Sequence, residues 1–286
     1  MMLRIRTKIA LLAGVLVLAA VAVVVVIRST GESGEPAPST AAPVEAVQAA
    51  PPTSSATSPP PRTEHDKLDG NQLFVAGVTP DKVSCALPKA TVRADIEPFL
   101  RAELKCLDDA WRPVLERAGA PFESTEIALD PTLCRFDPAE RGPHYCARDN
   151  KFYVSPAKIA EEGFERAFLI GLLSQRYGNH LMDLVGINDA RANLPQAATT
   201  EAAKQENLRR AILLTDCLSG MSLAALTSGG SLTDAEARKI ITGWQNAIGD
   251  PDGATKKNVG KWLNAGFAAK DASACNTWAA SSADVA

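Results

Sequence analysis

The chain has 286 residues, 46% of them hydrophobic and 22% charged, and a formal net charge of −3, which leaves room for a membrane segment plus one sizeable globular domain. Charge this near balance, without a basic stripe, excludes the electrostatic footprint of a nucleic-acid binder. Aromatic residues make up only 5%, so stacking platforms for bases or sugars are not expected either.

The first eight residues, MMLRIRTK, lead into nineteen uncharged ones, IALLAGVLVLAAVAVVVVI, from Ile9 to Ile27. At a rise of about 1.5 Å per residue the run spans about 30 Å, the hydrocarbon thickness of a bilayer. Arg4, Arg6 and Lys8 precede it and Arg28 follows, so the positive-inside rule places the N-terminus in the cytoplasm. The pattern predicts a signal anchor, with residues 1–8 cytoplasmic, 9–27 transmembrane and the remainder extracytoplasmic: a single-pass protein of the cell membrane. A cleaved secretion signal is the rival reading. Its apolar core is shorter, and RSTGESGEP offers no convincing small-residue cleavage site.

Residues 28–69 change to Pro, Ala, Ser, Thr and Glu, as in PAPSTAAPVEAVQAAPPTSSATSPPP. Too few large apolar groups are present to offset backbone ordering, which predicts a disordered, partly polyproline-like tether. The globular domain is expected from 70 to 286. All six cysteines (Cys85, Cys106, Cys134, Cys146, Cys217 and Cys275) lie beyond the tether. An even count outside the cytoplasm favours three disulfides over reactive thiols or metal ligands, and no CxxC occurs. Chain order makes Cys134–Cys146 a local bridge.

Within the domain, Asp95 to Ala118 carries Ile96, Leu100, Leu104, Leu107 and Trp111 at helical spacing, and Gly119 and Pro121 end it. TEIALD (Thr125–Asp130) and KFYVSP (Lys151–Pro156) read as short strands. A helical run follows from about Ala157 to Gly186, then helices over Gln205–Leu226, from the Ser231 cap region through Ile248, and over Lys256–Ala269. Strands first and helices after, without βαβ alternation, predict a mainly helical α+β domain.

The central helix raises the functional question, because its apolar start gives way to LLSQRYGNHLMDLVGI (Leu172–Ile187). Phe168, Leu172, Gln175, Asn179, Met182 and Gly186 fall on one stripe by three- and four-residue spacing. Gln175 and Asn179 therefore stack one turn apart on a face pointing inward. Two histidines at this spacing form the zinc pair of a metallopeptidase helix, but the residues here are amides.

From Gly70 to Trp278 the chain resembles the single-domain, zincin-like neutral zinc metallopeptidases of bacteria. KCLDDAWRPVLERAGAPF is similar to that family's first helix, and CRFDPAERGPHYCARDNKFYVSP to its Cys-bounded loop and following strand. RYGNHLMDLVGI is similar to the end of its HEYGHHVQ-type helix, TDCLSG to its ADCxAG segment, and KWLNAGFAAKDASACNTW to its C-terminal signature. The resemblance implies a zincin-like fold, but it breaks at the chemistry. It lays the first zinc histidine on Gln175, the general-base glutamate on Arg176 and the second zinc histidine on Asn179. The glutamate ligand falls on Ile212, and only Asp216 keeps its type.

The substituted groups are poor company for a metal. Zinc sites use imidazole, thiolate or carboxylate; carboxamide oxygens are neutral and weak, and Ile212 has no lone pair. Arg176 is a fixed cation that cannot act as a base near neutral pH. About 5 Å from a divalent ion, at an effective dielectric of about 20, it costs roughly 6–7 kcal/mol of repulsion. No metal and no cofactor are expected. His180 sits one residue off the stripe with Asp183 in reach, while His144 and His65 belong to other elements, so no histidine set replaces the lost ligands.

Two arrangements stay open for Arg176: an ion pair or hydrogen-bonded network with Asp216, or extension to solvent through the cleft. The expected function is that of a membrane-anchored extracytoplasmic pseudopeptidase, a non-catalytic domain that binds or scaffolds a peptide, protein or envelope ligand. The alternative is an active metallopeptidase with metal ligands at unrecognised positions.

Overall fold

The computed structural model describes residues 63–75, 77–129, 134, 142–194, 200–247 and 254–286. The expected cytoplasmic N-terminus, transmembrane segment and most of the tether lie outside them. The folded part begins ahead of Gly70, where the tether was expected to end. Helix α1 (Glu64–Asp69) opens on a reciprocal cap, Thr63 Oγ1 accepting from Asp66 N at 3.1 Å and Thr63 N donating to Asp66 Oδ2 at 2.9 Å. It buries Leu68 in the core. A six-residue helix with one apolar contact is too short for periodicity to reveal.

Helix α2 (Ile96–Arg117) buries Phe99, Leu100, Leu104, Leu107 and Trp111 on one side. On the other it carries exposed pairs such as Arg101–Glu97, 2.8 Å, and Lys105–Asp109, 2.6 Å. Three short strands follow: β1 (Glu126–Ala128), β2 (His144–Cys146) and β3 (Lys151–Tyr153). β3 is central, parallel to β1 with Ile127 opposite Phe152, and antiparallel to β2 with Tyr145 opposite Phe152. β2 was not expected; three residues are too few for an alternating signature.

The helical run expected from Ala157 to Gly186 is two helices, α3 (Pro156–Glu162) and α4 (Arg166–Leu184). Gly163 stands between them at φ +77°, a left-handed conformation that ends a helix and that glycine adopts without strain. After α5 (Ile187–Ala192) come α6 (Glu201–Ser228), α7 (Asp234–Ala247), α8 (Lys256–Ala268) and the terminal turn α9 (Ser282–Val285). Threonines open three of them: Thr200 accepts from Ala203 N at 3.2 Å, Thr233 from Glu236 N at 3.2 Å and Thr255 from Asn258 N at 3.3 Å. The domain is thus mainly helical with one small sheet, an α+β architecture.

By length and composition α6 is apolar enough to cross a membrane, yet 78% of its apolar window is buried inside the domain. It is the hydrophobic axis on which α4 and α8 pack. Both crossings are close because glycine stands at each. A Cβ on Gly178 would meet Thr215 Cα at 2.9 Å, and one on Gly266 would lie 1.8 Å from Cys217 O. Arg210 of α6, 8% exposed, holds the C-terminal segment by donating to Thr277 O and, at 3.0 Å, to Ala280 O.

All six cysteines are bridged, as Cys85–Cys106, Cys134–Cys146 and Cys217–Cys275, with Cα separations of 6.0, 6.1 and 5.5 Å. The local bridge read from chain order is among them. Three disulfides suit an oxidising compartment.

Candidate functional site

Helix α4 enters the core apolar on all sides, with Leu169, Ile170, Leu172 and Leu173 buried. It then presents its polar residues while still surrounded by α2, α6, α7 and the sheet. The single inward stripe expected for it is corrected by the packing. Phe168 is 37% exposed and Asn179 only half-buried, whereas His180, expected off the stripe, is 0% exposed. A helix packed on several sides has no single buried face. Its open side is the narrow strip of Arg176, Asn179 and Asp183.

Ser174, Gln175, Arg176 and Tyr177 of α4 each have a hydrogen-bond partner, whereas the buried Nε2 of His180 has none among the described residues. Gln175, 6% exposed, donates from Nε2 to Thr215 Oγ1 at 3.2 Å, and its Oε1 accepts from Arg176 Nη1 at 2.9 Å. Arg176 Nε donates to Pro143 O at 2.9 Å, in the segment leading into β2. The Tyr177 hydroxyl donates to buried Asp108 Oδ1 at 2.8 Å. Ser174 donates at 3.4 Å to Glu103 Oε1, whose other oxygen has no partner among the described residues. Burial pushes the carboxyls of Glu103 and Asp108 above the usual carboxylate range.

His180 sits among the rings of Phe122, Tyr145, Phe152 and Tyr177, with centroids 5.3 to 6.4 Å away. Its Nδ1 lies 3.2 Å from the Tyr145 hydroxyl, which in turn reaches Asp183 Oδ2 at 3.1 Å, so Asp183 meets His180 through a tyrosine. Burial lowers the imidazole pKa to about 4, which leaves it neutral at physiological pH.

Asp216 lies across from Gln175 on α6, wholly buried. Neither of its oxygens has a hydrogen-bond partner of good geometry among the described residues. The Gln175 carboxamide and the Trp244 indole, itself unpartnered at Nε1, are the polar groups that face it. Burial raises the Asp216 pKa to about 7, against the opposing pull of Gln175 and Arg176. Arg176 and Asp216 form no ion pair within 4.0 Å. The hydrogen bonds of Arg176 go to Gln175 Oε1 and Pro143 O, and none among the described residues carries on to Asp216. Ile212 sits one turn before Asp216 on α6, half-buried.

Sequence reasoning missed Arg191. A pocket of about 350 Å³ opens between β2, α4 and α5, lined by His144, Tyr145, Arg176, Asn179, Asn188 and Arg191. No local pattern marks Arg191, which comes from a six-residue helix with no periodic signature. A larger pocket of about 550 Å³, beside Phe168 and Trp244, has mostly apolar walls and includes none of Gln175, Arg176, Asn179, Ile212 and Asp216.

Comparison of the chain with protein-family models, curated proteins and solved structures finds no match. Whether these residues suit a zinc ion is therefore a question for their chemistry alone, and they do not. Gln175 Oε1 accepts from a guanidinium, its Nε2 is a donor, Arg176 is cationic and Ile212 has no donor atom. Asp216 is the one metal-type ligand of the five positions. Among the described residues no three of His, Cys, Asp and Glu gather as a metal-binding group.

Proposed function

We propose that the chain is a membrane-anchored extracytoplasmic pseudopeptidase: a zincin-like domain in which a former zinc cleft serves as a non-catalytic binding site. In this reading residues 9–27 anchor it as a single-pass protein of the cell membrane, and the tether sets the reach of the domain. The resemblance to neutral zinc metallopeptidases supplies the ancestry. The observation that carries the loss of catalysis is the Arg176–Gln175 hydrogen bond, 2.9 Å, at the place where a ligand and a general base belong. A carboxamide that accepts from a fixed cation has turned its oxygen away from any metal, and the cation repels one. The ligand class that follows is a peptide, protein or envelope component bound without turnover.

Metal analysis tests this directly. Full-length protein purified without chelator is expected to carry well under one zinc per chain and to leave an unstructured protein such as casein intact, with or without chelator. Stoichiometric zinc together with chelator-sensitive cleavage would establish the alternative, an active metallopeptidase with other ligands.

A further inference from the structure

Arg191 extends from the last turn of α5 into the pocket that also holds Arg176, Asn179 and Asn188. The residue is half-buried, its Nε is buried without a hydrogen-bond partner, and its side chain has neither a hydrogen bond nor an ion pair among the described residues. Burial lowers its pKa with no carboxylate nearby to restore it. Arg176 is desolvated as well, and only Asp216, beyond ion-pair range, offsets the effect. Two of its nitrogens are committed, Nε to Pro143 O and Nη1 to Gln175 Oε1, which fixes the plane of the fork and leaves Nη2 uncommitted.

Of the two carboxamides, Asn179 adds a neutral polar group to the pocket, whereas Asn188 is committed to Asn179 O and Asp183. Asn188 Nδ2 donates at 3.3 Å to Asn179 O, tying the end of α4 to α5, and the Asn179 side chain lines the pocket. The walls hold two guanidiniums and two carboxamides besides His144, Tyr145 and Ala147, with no carboxylate among them; Asp183 lies behind the wall, bonded to the Tyr145 hydroxyl at 3.1 Å and to Asn188. A partly desolvated cation without a counter-charge is costly, and a helix C-terminus of one short turn and a half offsets little of it. A planar guanidinium matches the paired oxygens of a carboxylate or phosphate. The volume, about 350 Å³, is at the small end of ligand sites and larger than a bare ion needs.

We propose that this pocket is an oxyanion site, in which Arg176, Arg191 and Asn179 take the carboxylate or phosphate group of a ligand whose body fills the remaining space. The proposal deepens the non-catalytic reading of the cleft and rests on it: the substitution that removed the base also delivered half of the anion fork.

The test is calorimetric titration of the full-length chain in detergent with inorganic phosphate and, separately, with N-acetylglycine, against sodium chloride at matched ionic strength. Saturable binding of at least one anion is expected, weakened about tenfold or more by Arg176→Gln and by Arg191→Gln. Arg191→Lys keeps the charge but loses the fork, and is expected to fall between. Because the Arg191 side chain makes no hydrogen bond among the described residues, Arg191→Gln should melt with the wild type, which separates lost binding from lost fold. Tighter phosphate binding points to a phosphorylated ligand and tighter N-acetylglycine binding to a carboxylate; either supports the site. No saturable binding of either anion, or binding that Arg191→Gln leaves unchanged, overturns it. Zinc measured on the same preparation keeps the two readings apart. Zinc-free protein that ignores both anions loses the oxyanion site and retains the pseudopeptidase reading, whereas stoichiometric zinc with cleavage removes that reading whatever the titration gives.

Discussion

A Cβ on Gly178 would come within 2.9 Å of Thr215 Cα and 3.0 Å of Thr215 O, so α4 and α6 touch backbone to backbone one turn from Gln175 and next to Asp216. Backbone atoms cannot swing aside as a side chain does. Gly178→Ala is therefore expected to lower stability by about 1–2 kcal/mol, the cost of overpacking less alanine's better helix propensity. Gly178→Val, with the same clash and a poorer propensity, should lose more. Urea denaturation reads both; an alanine variant with an unshifted midpoint would mean the helices are not held this closely.

The buried Asp216 carboxyl gives a pH signature. Its pKa rises from 3.8 to about 7 on folding, because burial disfavours the charged form. The folded state therefore holds a proton that the unfolded chain releases between about pH 4 and 7, and stability through this group falls as pH rises across that window. His180 has the opposite sign. Its pKa falls from 6.5 to about 4, so its contribution to stability is lost as pH drops from about 6.5 to 4. The two partly cancel in the wild type, and a difference measurement isolates Asp216. The melting temperature of Asp216→Asn minus that of the wild type is expected near zero below pH 4 and positive by several degrees above pH 7. A difference flat across pH would show that the carboxyl titrates normally.

The bridges differ in what they restrain. Cys217–Cys275 spans 58 residues and ties α6 to the turn after α8, whereas Cys134–Cys146 spans 12. Loop-closure entropy assigns about 4 kcal/mol to the first and about 3 kcal/mol to the second. Replacing both cysteines of the long bridge by alanine should lower the melting temperature more than the same change at the short one. The reverse order would argue that strain or residual unfolded-state structure dominates.

How much of this was legible in the sequence depended on length of signal. Helix α2 shows in its apolar spacing, and α6 and α8 in long runs of helix formers, with ends displaced by a few residues. The α3–α4 break rests on Gly163 alone, and β2 is three residues long; neither leaves a periodic trace. At the candidate site, Gln175, Arg176 and Asp216 were singled out by a resemblance between short motifs. Their companions Pro143, Thr215, Trp244 and Arg191 come from other segments, and no one-dimensional pattern encodes that proximity. The error over Asn179 and His180 has a specific cause: counting by threes and fours assumes one buried face, and α4 is enclosed on several.

The hydroxyl of Tyr177 offers the sharpest test of how the polar core is held together. It is buried beside Asp108 and donates to Oδ1 at 2.8 Å, while burial already pushes the Asp108 carboxyl above its ordinary pKa. Tyr177→Phe removes the donor and almost no volume, leaving a buried acceptor oxygen without that partner at a cost of about 1–3 kcal/mol. It should also raise the Asp108 pKa further, because the lost bond favoured the charged form. Pairing the change with Asp108→Asn closes a double-mutant cycle. A coupling energy of about 1 kcal/mol or more is expected, since phenylalanine costs less once the carboxylate is gone. Additive effects within a few tenths of a kcal/mol would mean that the two groups merely lie side by side.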